Sequence, residues 1–189
     1  DAEGDRHVAE LAGAVRLGVR ADREGSLVRD YHTIHGGVLS AEGKVKITQS
    51  TKEPETVVSE RYYLADACFL AALVGPREVL ATVAEGLRQP VWPVFLGRKS
   101  CPPALPVWPV LPEQTELHPV TSVAQALGFP WLGRPGDPCP ERLRAVVEVA
   151  PGERAGGPMH TRRDVPLSFS TRRFGARRVC EMAVTPGGM

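Results

Sequence analysis

The stretch that most constrains the fold is "DACFLAALVGPREVLATVAEGLRQP", residues 66–90. It opens with a continuous apolar run closed by Gly75 and Pro76, the pattern of a strand buried on both faces. Pro76 suits the first position of a helix. Behind it Val79, Leu80, Val83 and Leu87 recur at helical spacing, and Pro90 ends the run. A strand that turns straight into an amphipathic helix requires a sheet with a helix packed on it.

The flanking sequence supplies more strands. After a short helical pattern at the start, Val15, Leu17 and Val19 alternate with Arg16, Gly18 and Arg20, which predicts a half-buried strand with the arginines outward. Residues 27–34, "LVRDYHTI", are compatible with extended chain. "HGGVLSAEGKVKITQSTKEPETVVSE" is a polar excursion in which Lys44 and Lys46 alternate with Val45 and Ile47, the signature of an exposed hairpin. "PVTSVAQALG" suits a short helix. "ERLRAVVEV" and "RRVCEMAVT" predict two further strands, and "GERAGGPMHTRRD" a glycine-rich loop over 151–164. The order is strand, hairpin, strand, helix, long loop, strand, an α+β arrangement with a single helix too small to cover its sheet. At 189 residues with 42% apolar content, one domain is expected.

Charge is informative only in its distribution. The net charge is +1. Residues 154–178 nevertheless hold seven arginines, Arg172, Arg173, Arg177 and Arg178 among them, against the single acid Asp164. Such a cation-rich segment suits either a solvated surface or an anionic partner. The four cysteines are scattered with no C-x-x-C, and no apolar stretch reaches 18 residues, so a cytosolic chain with reduced thiols and no membrane span is expected. His32 and His35 are three apart and fall on opposite faces of a strand, which disfavours a metal pair. No cofactor motif and no assembled nucleophile, base and oxyanion donor are present.

"VWPVFLGRKSCPP", residues 91–103, has a mechanical reading. Gly97 allows backbone conformations and close approach closed to other residues. Arg98 and Lys99 offer donors for phosphate. Trp92 and Phe95 offer faces for a base unless they plug the core, which is expected of at least one of them. Pro90, Pro93, Pro102 and Pro103 stiffen this stretch, and the whole loop runs over 89–112.

"LVRDYHT", "RYYLADACF", "FLGRKSCP" and "DVPLSF…FGARRV", in that order, resemble the CasD subunits of type I-E CRISPR Cascade complexes, within the RAMP superfamily. The resemblance implies a ferredoxin-like (RRM-like) domain with a β-hairpin thumb at about 31–60, and a non-catalytic role without metal. It implies binding of the CRISPR RNA 5′ handle and contacts with the backbone subunit CasC and the large subunit CasA. Residues expected at the RNA are Gly97, Arg98 and Lys99, then Lys44 and Lys46 with Arg29 and His32 at the thumb's base, then Arg172, Arg173, Arg177 and Arg178. The family opens with an apolar strand and a glycine-containing helix that have no counterpart here, so unpaired strand edges are expected. A related type I-C subunit cleaves precursor CRISPR RNA without metal; Tyr31, His32 and Lys44 are the residues that such an activity would use.

Overall fold

The computed structural model describes residues 2–105, 107, 118–154 and 156–187. The chain runs α1 (Ala2–Ala14), β1 (Arg16–Arg23), β2 (Ser26–His35), β3 (Thr56–Ala65), β4 (Cys68–Val74), α2 (Arg77–Arg88), α3 (Val123–Ala126), β5 (Leu143–Glu148), β6 (Met159–Ser168) and β7 (Arg173–Val184). It divides into two units, Arg23–Cys68 and the remainder.

The larger unit is built on a five-stranded sheet of order β4-β1-β5-β7-β6. β5 pairs antiparallel with β1 on one side (Arg20 opposite Ala145) and with β7 on the other (Val147 opposite Cys180). Strict alternation in β5 buries Leu143, Ala145 and Val147. Ala145 and Val147 meet Val123 and Leu127 of the α3 segment, with Val149, Cys180 and Val184, to form the core. α3 starts where it does because the Ser122 hydroxyl accepts from Gln125 N (3.1 Å), while Gln125 Oε1 accepts from Thr121 N (2.8 Å). Each bond satisfies a backbone donor at the helix entrance. α1 packs against β6.

β1 corrects the sequence expectation. Its buried side is that of Gly18, Arg20 and Asp22, and Arg20 is 0% exposed. A Cβ at Gly18 would stand 2.3 Å from Val123 Cγ1, so only glycine lets α3 lie this close to the strand. Arg20 donates through Nε and Nη2 to the two carboxylate oxygens of Asp22 (2.6 and 2.8 Å), and through its Nη atoms to the carbonyls of Leu127, Phe129 and Pro130 (2.6, 2.5 and 3.0 Å). Asp22 Oδ2 also accepts from Leu132 N (2.6 Å), and its carbonyl accepts from Trp131 Nε1. The alternation was legible, but an arginine whose donors all find acceptors is as burial-compatible as a valine.

Three further expectations change. Cys68–Val74 is an edge strand with half of its residues turned toward the core and Phe69 exposed, so it is not buried on both faces. β1, by contrast, has neighbours on both sides. The glycine-rich loop ends at Pro158, because Met159–Ser168 forms β6 along β7. Pro76 is the N-cap of α2, extended at φ −59°, ψ 138°, with Arg77 the first helical residue; Gln89 N closes the helix on Glu85 O and Pro90 follows. The extended stretch expected at 102–112 lies partly outside the described residues, at 106 and 108–112.

The smaller unit is a two-stranded antiparallel ribbon. β2 and β3 pair without interruption from Ser26 opposite Ala65 to His35 opposite Thr56, longer at both ends than the hairpin read from sequence. Between them the chain folds into a tip in which Leu39 bridges Val45 and Ile47 bridges Pro54.

Candidate functional site

The loop after α2 closes on itself. Leu96 N donates to Cys101 O (2.8 Å) and Cys101 N donates to Arg98 O (2.9 Å), with Gly97 at φ +83°. A left-handed residue inside a turn this tight favours glycine. Nothing lies within 4 Å of the position a Cβ would take at Gly97, so its surface is open backbone. Arg98 is half-buried and Lys99 exposed. Neither aromatic plugs the core, contrary to expectation: Trp92 is 81% and Phe95 43% exposed, with Val91 and Leu96 exposed beside them in sequence. The loop therefore offers open backbone, a lysine and uncovered ring faces within ten residues, a combination that can hold a phosphate and stack a base.

The ribbon carries a second group. Arg29 faces Glu60 in an ion pair of 3.3 Å. Tyr31 pairs in register with Glu60 and His32 with Ser59, so their side chains project from opposite faces of β2. His32 contributes its carbonyl as acceptor to Ser59 Oγ. His35 Nδ1 stands 2.7 Å from Thr56 Oγ1. Lys44 and Lys46 are exposed in the tip, with Lys44 3.7 Å from Glu42. An ion pair this exposed holds its lysine only weakly. The geometry does not bring Tyr31 and His32 onto one face, where both could act on a single 2′-hydroxyl as it loses its proton and attacks the phosphorus.

The arginines of the C-terminal segment divide by role. Arg177 donates from Nε and Nη2 to both oxygens of Asp164 (2.6 and 2.7 Å) and lies 3.6 Å from Glu148. A register shift of β6 between Arg162 and Val165 accompanies this pairing. The hydrogen bond from Arg177 draws the Asp164 carboxyl below its ordinary range, and that carboxylate in turn raises Arg177. Two carboxylates thus already occupy the Arg177 guanidinium. Arg172 sits in the β6–β7 turn at φ +53° and Arg173 opens β7; both are exposed, as is Arg178.

Reading the sequence missed what holds that turn. Asp5 of α1 accepts from Ser168 Oγ (2.6 Å), Ser170 Oγ (2.5 Å) and Phe169 N (2.9 Å). These bonds, Ser168 first, bring its carboxyl down to about 2. The hydroxyl-rich run before Arg172 was the available signal; nothing in the sequence pointed to Asp5. Among the described residues no group of three or more His, Cys, Asp or Glu stands together to hold a metal ion, none of the four cysteines is in a disulfide, and no helix is long and apolar enough to cross a membrane.

Residues 1–180 match the model of the family described as CRISPR-associated protein (Cas_Cas5). The chain belongs to the CRISPR-associated Cas5 family. Its similarity to the CRISPR system Cascade subunit CasD of Escherichia coli (strain K12) is 32% identity over 109 residues, which is 52% of this chain and 46% of that protein. The aligned part thus spans about half the length of this curated relative. A solved structure titled "Crystal structure of Cas protein" is 30% identical, with a TM-score of 0.60 over 98% of this chain and 82% of that one. A chain from a "CRISPR RNA-guided surveillance complex" matches in fold, with a TM-score of 0.58 at 22% identity over 95% of this chain and 76% of that one. The architecture is the α+β, ferredoxin-like fold expected of this Cas5 chain.

Proposed function

We propose that this Cas5 protein is a non-catalytic, RNA-binding subunit of a Cascade-type CRISPR surveillance complex. In this reading it holds the 5′ handle of the CRISPR RNA and contacts the backbone subunit CasC and the large subunit CasA. The observation that carries the reading is the closed 96–101 loop, with Gly97 at φ +83° and Arg98 and Lys99 in its turn. The likeness to a Cascade subunit over 109 residues supports it. Lys44, Lys46, Arg29 and His32 on the ribbon are the second expected RNA-binding group, and exposed Arg172, Arg173 and Arg178 the third. Arg177 serves in this scheme by ordering β6 against β7.

The test is RNA binding across a salt series. Arg98→Ala with Lys99→Ala should weaken binding and flatten the slope of log K against log salt by roughly 0.7 for each phosphate of single-stranded RNA that the variant no longer neutralises. An unchanged slope and affinity removes the loop from the site. The same preparation should leave repeat RNA intact. Specific cleavage products that disappear in His32→Ala would replace this reading with a metal-independent endoribonuclease using Tyr31, His32 and Lys44.

A further inference from the structure

We propose that the cavity beside the glycine-rich turn after β5 is a pocket for one guanine base. Its volume is about 180 Å³. Sites that enclose a drug-sized ligand hold roughly 300–1,000 Å³, so this one takes a single flat ring system and leaves a sugar and phosphate outside. Val123 of α3, Val147 of β5 and Met182 of β7 supply apolar lining, and Arg16, Glu153 and Arg154 supply charged lining. An apolar cavity edged by donors and acceptors suits an unstacked base, which is read along its hydrogen-bonding edge.

The charged groups decide which base. Glu153 N donates to Ala150 O (3.1 Å) and Ala150 N donates to Glu153 Oε2 (3.0 Å), so the turn fixes its own carboxylate. Arg16 Nη1 stands 3.4 Å from the same oxygen. Among the described residues nothing donates to Glu153 Oε1, and the Arg154 guanidinium has no acceptor. A carboxylate only accepts and a guanidinium only donates. Guanine is the base that offers two adjacent N–H donors, on N1 and N2, with the O6 carbonyl beside them. The Glu153 carboxylate accepts from both donors and Arg16 donates to O6, the guanine atom that arginine reads most often in nucleic-acid complexes. Arg154 is left for the phosphate outside the cavity.

The inference rests on the RNA-binding reading only for the source of the base, and its first experimental arm contains no RNA. In that arm the full chain is titrated calorimetrically with the four nucleoside 5′-monophosphates. The guanine nucleotide should bind about tenfold or more tighter than the adenine nucleotide, because the wrong edge leaves the site's polar groups unpaired. Glu153→Gln removes the charge at nearly constant shape and should erase that preference. Arg154→Ala should weaken the guanine nucleotide and leave guanosine unchanged. Gly156→Phe, at a cavity-lining position where a Cβ meets nothing within 4 Å, should fill the space and abolish binding. The second arm uses a short single-stranded oligouridine with one central guanosine or one central adenosine, on the wild type and on Arg98→Ala with Lys99→Ala. Guanine preference in both arms assigns the base to an RNA chain; preference in the first arm alone assigns it to a free nucleotide. A loop variant that loses oligonucleotide affinity yet keeps the nucleotide preference shows that the pocket stands apart from the 96–101 loop. Equal affinity for all four monophosphates overturns the proposal whether or not the chain binds RNA. So does a guanine preference that survives in folded Glu153→Gln, which decides the matter should Gly156→Phe fail to fold.

Discussion

At the scale of single residues, two buried or bonded carboxylates do most to fix this chain. Arg20 and Asp22 are both fully buried and satisfy each other together with three carbonyls and an amide. Removing one partner leaves a buried charge uncompensated, which costs about 3–5 kcal/mol. Arg20→Ala and Asp22→Ala should each destabilise by that amount in urea unfolding. The double variant should be destabilised by clearly less than the two single effects combined; simple additivity would show that the pair is not coupled. Asp5 gives a pH signature. Its carboxyl falls from the ordinary 3.8 to about 2 on folding. Because the folded value is the lower one, the stabilisation is complete above about pH 4 and disappears as pH falls toward 2. Asp164, lowered by Arg177, acts in the same direction. The stability gap between the wild type and Asp5→Asn should therefore be constant at pH 5 to 7 and close on acidification. A gap that stays open at pH 2 would contradict the hydrogen-bonded carboxylate.

At the scale of elements, sequence pattern succeeded where a single physical signal dominates. β5 alternates, α2 has its apolar stripe between two prolines, and the Lys44–Ile47 alternation does lie in an exposed hairpin. It failed where partners decide the outcome. The strand β1 was found but its inner face was reversed, since Gly18 and Arg20 read as outward-facing until α3 and the carbonyls of 127–130 are in place. β6 was hidden because "MHTRRDVPLS" has little apolar content and is extended by its ladder to β7. The candidate loop was legible through its Gly-Arg-Lys order, whereas the Asp5 interaction depends on tertiary structure alone. The ribbon makes a separate prediction. Two strands without a third, exposed on both faces, are marginal in water. Amide exchange should be markedly faster at Val28–Ile34 than at Leu143–Val147, where backbone bonds are flanked on both sides by strands. Equal protection would show that the free chain covers the ribbon.

At the scale of the whole molecule, the distribution of apolar surface argues for partners. Among the described residues eleven apolar side chains are buried, while twenty-one large ones remain exposed. The exposed set concentrates in two places. One is the ribbon with its tip, where Leu27, Tyr31, Tyr62 and Leu64 stand uncovered; the other is the segment holding Val91, Trp92, Phe95, Leu96, Leu105 and Val107. Singly exposed apolar residues are ordinary, but clusters of this kind mark interaction surfaces or aggregation hazards. The isolated chain should accordingly self-associate as its concentration rises. Trp92→Ser with Leu96→Ser should lower that tendency. Their exposed side chains contribute little to the folded state, so unfolding should shift by no more than about 0.5 kcal/mol. Light scattering and thermal unfolding of the two proteins side by side provide the measurement. Unchanged association with unchanged stability would assign the sticky surface to the ribbon. A large drop in stability would instead show that Trp92 and Leu96 are packed against the fold.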